Sequence, residues 1–69
     1  MDELTDKQRA IIKAAVLNHL RLDPTMNLHD IQRLISAITP REWMNSPGLL
    51  QGVVKVVDLT YNDFKEEVQ

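Results

Sequence analysis

Apolar side chains recur along most of this chain at the three-and-four spacing of a helix. The cleanest case is residues 28–38, where Leu28, Ile31, Leu34, Ile35 and Ile38 form one stripe and His29, Gln32, Arg33 and Ser36 take the other side. Near the start, Leu4, Ile11, Ile12, Ala15 and Val16 share an arc with His19 in its middle. Toward the end, Leu49, Leu50, Val53, Val54, Val57, Tyr61, Phe64 and Val68 fall within one arc, and Gln51, Lys55, Asp58, Asn62, Lys65 and Glu66 lie opposite. The run Val53-Val54-Lys55-Val56-Val57 is β-branched and would suit a strand. Its valines come as doublets, however, which a period of two does not accommodate, so a single long helix is predicted.

Start and stop signals sharpen these boundaries. Thr5 with Gln8 three residues later forms a capping box, in which each side chain accepts from a backbone N–H that a helix start leaves unpaired. Asp23-Pro24 closes the helix so opened, because a residue before proline avoids helical angles. Asn27 caps the next helix with Asp30 in its first turn, flanked by Met26 and Ile31 at hydrophobic-staple spacing. In Ile38-Thr39-Pro40-Arg41-Glu42-Trp43, Thr39 is read as a cap, Pro40 as first helical residue and Glu42 as the box partner, with Ile38 and Trp43 as the staple. Ser46-Pro47 restarts the chain in the same way. The prediction is an all-α, single-domain bundle spanning residues 1–69, with three main helices at about 5–21, 28–38 and 47–67 and a one-turn helix at about 40–45.

Composition limits what such a bundle can be. Sixty-nine residues leave room for one core, and a chain this short stands close to the limit of independent stability. With one Trp, one Tyr and one Phe, that core is mostly aliphatic. No cysteine is present to staple it, and that absence speaks against an oxidising compartment. No basic-then-apolar leader opens the chain and no apolar run nears the roughly 18 residues that a membrane span needs, so a cytoplasmic protein is expected. Net charge is −2 and uneven: six basic face five acidic side chains through residue 41, and two face five beyond it. A sequence-independent nucleic-acid binder normally carries a clear basic excess somewhere, which is missing here.

Groups that could do chemistry are sparse. His19 and His29 lack the spacing that presents two metal ligands from one helix, and Ser36 and Ser46 have no histidine at a suggestive interval. Gly48 and Gly52 do not build a phosphate-cradling loop, and paired carboxylates occur only at Glu66-Glu67. A non-enzymatic chain with no metal and no cofactor is the expectation.

Apolar residues in unexpected places point instead to binding. Ala10, Ala14 and Leu17 make an i, i+4, i+7 stripe away from the main arc of the first helix, and Gly52, Val56 and Leu59 repeat that spacing on the last. Glycine inside a helix costs about 1 kcal/mol against alanine, so Gly52 calls for a packing reason. The two stripes either pack on each other or form an intermolecular surface, and the second arrangement would give a homodimer that supplies the missing staple. Trp43 and Met44 can serve as core-edge residues or as anchors for a partner. The functional expectation is a small regulator, adaptor or inhibitor that acts by protein–protein binding through helical surfaces, as a homodimer, with a size compatible with phage or mobile-element origin. The rival expectation is a dimeric helix-turn-helix DNA binder, for which the short helix offers only Arg41, Trp43 and Asn45 to a groove.

Overall fold

The computed structural model describes residues 3–68, folded as α1 (Asp6–Leu22), α2 (Leu28–Ile38), a 3₁₀ turn (Arg41–Met44) and α3 (Pro47–Val68). Each α-helix begins where its first orphan N–H groups find a side chain. Thr5 Oγ1 accepts from the Gln8 N–H at 3.1 Å while Gln8 Oε1 accepts from the Thr5 N–H at 2.9 Å. Asn27 Oδ1 accepts from the Asp30 N–H at 2.8 Å, and Ser46 Oγ accepts from the Leu49 N–H at 3.2 Å. The valine-rich segment is helical throughout, as its doublets require. The side chain of Val68, which the sequence places in the apolar arc of that helix, lies outside the described residues.

One boundary differs from expectation. Thr39 does not open the short helix but closes α2: its N–H and its hydroxyl both donate to the Ile35 carbonyl, at 2.9 and 2.6 Å. The turn that follows is a four-residue 3₁₀ segment with Pro40 at its N-cap and no side-chain cap bond. A single turn leaves few orphan donors, whereas the end of an eleven-residue helix leaves four carbonyls, so the threonine bonds backwards.

Residue contacts fix the helix directions. Leu4 lies over Gly52, Ala10 lies beside Val56 and Leu59, and Leu17 and Arg21 lie beside Thr60, Phe64 and Glu67. Helices α1 and α3 therefore run parallel. Between them the chain reverses: Gln32 Nε2 of α2 donates to Asp58 Oδ1 at 2.8 Å, and Ile35 and Ile38 meet Ile11, Ile12 and Ala15. Helix α2 is antiparallel to both neighbours. At the far end Lys65 Nζ donates to the Pro24 carbonyl at 2.6 Å, with its ammonium 5.4 Å from the Tyr61 ring centroid, and so ties the last turns of α3 to the α1–α2 elbow.

The core is aliphatic apart from Phe64. Val16, Leu20, Ile31, Ile35, Val53 and Val57 are fully buried, and Leu4, Ile12 and Phe64 complete the cluster. Each such side chain contributes on the order of 1.5–3 kcal/mol by leaving water. Among the described residues no buried side-chain nitrogen or oxygen lacks a hydrogen-bond partner, so the interior carries no polar penalty.

Candidate functional site

Parallel packing of α1 and α3 brings the two unexpected apolar stripes to one seam. Ala10, Val56 and Leu59 line a shallow furrow with Arg9, Lys13, Thr60 and Asp63, and Leu17 lines its continuation with Lys13, Arg21, Phe64 and Glu67. Leu17 and Val56 are half-buried and pack against the core, while Ala10, Ala14 and Leu59 are exposed. The inner members of the stripes thus pack within the chain and the outer members face solvent. Basic side chains run along the α1 bank of the furrow and acidic ones along the α3 bank. Of these, Arg9 already pairs with Asp6 one turn earlier.

Gly52 has its packing reason inside the chain. A Cβ built there would lie 3.1 Å from Leu4 Cδ1 and 3.2 Å from Leu4 Cγ, closer than side chains ordinarily approach. Glycine lets the segment ahead of α1 seal the core against α3. Trp43 and Met44 are half-buried against the core cluster, as core-edge residues would be.

Five side chains that the sequence reading counted as core, or passed over, lie open: Ile11, Leu22, Ile38, Leu50 and Val54 are all exposed. Ile11 and Ile38 face each other across a cavity of about 170 Å³ between α1, the end of α2 and the 3₁₀ turn, which Ile12, Ala15, Ile35, Thr39, Pro40 and Trp43 complete. The walls are apolar except for the Thr39 hydroxyl, which is already bonded to the Ile35 carbonyl. Ile38 and Trp43 thus share a wall as their staple spacing suggests, but with Ile38 half open rather than buried. On α3, Leu50, Val54 and Leu59 border a second open surface with Gln51, Lys55 and Asp58. These positions sit at the edges of their helical arcs, where one sequence cannot say whether a neighbouring helix reaches.

Chemical groups do not converge in the same way. Among the described residues no group of three or more His, Cys, Asp or Glu side chains is placed to hold a metal ion. His19 is half-buried on α1 and His29 is exposed on α2. The carboxyl of Asp23, just past the end of α1, titrates below its ordinary range. The Thr25 hydroxyl and N–H both donate to its carboxylate and, with a smaller contribution from the Lys65 ammonium, hold it below the usual value of 3.8. That arrangement closes a turn rather than poising an acid or base. Among the described residues no helix is long and apolar enough to cross a membrane. Compared with known protein families, with curated proteins and with solved structures, the chain shows no match.

Proposed function

We propose that this chain is a small, non-catalytic regulator, adaptor or inhibitor of the cytoplasm that docks on protein through its helical faces and pairs with a second copy of itself. The observation that carries this reading is its exposed apolar inventory. Ile11, Leu22, Ile38, Leu50, Val54 and Leu59 are between 39% and 77% exposed, against a buried hydrophobic core of nine side chains among the described residues. Single exposed aliphatics, as Leu22 is, are ordinary, but Ile11 and Ile38 gather beside half-buried Trp43, and Leu50, Val54 and Leu59 border one surface of α3, as contiguous apolar patches at binding surfaces do. Self-association also gives so small a core the extra burial it needs.

Sedimentation equilibrium across micromolar concentrations tests the reading, with an expected particle of twice the 7.9 kDa chain mass. Leu59→Glu leaves helical content intact, because Leu59 faces solvent, and its effect on that mass reports whether the α1–α3 seam takes part. A gel shift with random duplex at low salt tests the helix-turn-helix alternative. The expected result is no shift, since α3 exposes Asp63, Glu66 and Glu67 and the turn ahead of it is four residues long. A salt-sensitive shift would replace the protein-docking reading with the DNA-binding one.

A further inference from the structure

We draw no further inference here: the strongest candidate, the apolar cavity that Ile11, Ile38, Pro40 and Trp43 wall between α1, the end of α2 and the 3₁₀ turn, carries nothing because nothing in the structure shows what covers it.

Discussion

The two flanks of α1 are built from different residues and meet different fates. The flank toward α3 carries two small side chains, Ala10 and Ala14, with Leu17 beyond them, and just ahead of the helix Leu4 lies over Gly52 of α3. Elsewhere α1 carries large side chains that stay uncovered, Ile11 beside the end of α2 and Leu22 in the last turn. Small side chains let helix axes close up, and the space so gained is filled from within the chain, as Leu4 fills the space over Gly52. On the other side Ile11, the end of α2 and the 3₁₀ turn leave a cavity that no side chain of the described residues fills. Small-residue spacing in a sequence therefore marks where this fold closes. Large aliphatics at the arc edge mark where it stays open.

Substitutions can break or sharpen that contrast. The largest effect belongs to the ridge shared by both flanks. Leu20→Ala, at a fully buried site, should cost about 2–5 kcal/mol in urea unfolding, enough to unfold much of so small a domain. On the closed flank, Gly52→Val should cost about 1–3 kcal/mol by overpacking against Leu4. Leu4→Ala, which removes the two atoms that a new Cβ would meet, should then turn Gly52→Ala from near-neutral to stabilising by about 0.5–1 kcal/mol. Additivity in that double-mutant cycle would mean that Leu4 is not what holds the glycine. On the open flank, Leu22→Gln should change monomer stability by less than about 0.5 kcal/mol, read by Trp43 fluorescence at nanomolar concentration. A loss above 1 kcal/mol there would show that the flank is covered after all.

The smallest effect is expected at the end of α1. The Asp23 carboxyl titrates lower in the folded chain than in the unfolded one because Thr25 donates to its charged form. Its contribution is complete above the unfolded carboxylate range near pH ~4 and is lost as pH falls through the folded value. Tm should fall slightly more steeply with acid in the parent chain than in Asp23→Asn. Equal slopes would mean that the Thr25 contacts do not persist in solution.

What the sequence makes legible follows how local each cause is. The caps at Thr5, Asn27 and Ser46 act over three residues, so pattern alone finds them. The same pattern misreads Thr39, because a threonine between two helical segments can serve either, and the longer helix wins. The helical state of the valine-rich segment is legible from its doublets. The partner of Gly52 is not, because Leu4 lies 48 positions away and nothing near either residue names the other. Likewise Ile11, Ile38, Leu50 and Val54 read as apolar, but their exposure depends on how many helices surround each arc, which only the packed chain decides.

The parallel course of α1 and α3 also bears on how the chain reaches its folded state. The most extensive helix pair joins segments from opposite ends of the sequence and cannot form until α2 has carried the chain back past α1. An α1–α2 hairpin cut after Thr39 would lack Val53, Val57 and Phe64, a third of the buried hydrophobic side chains among the described residues, so it should stay largely unstructured on its own. Assembly is then expected to be all-or-none, without a stable intermediate, and protection from hydrogen exchange should rise together in all three helices rather than helix by helix.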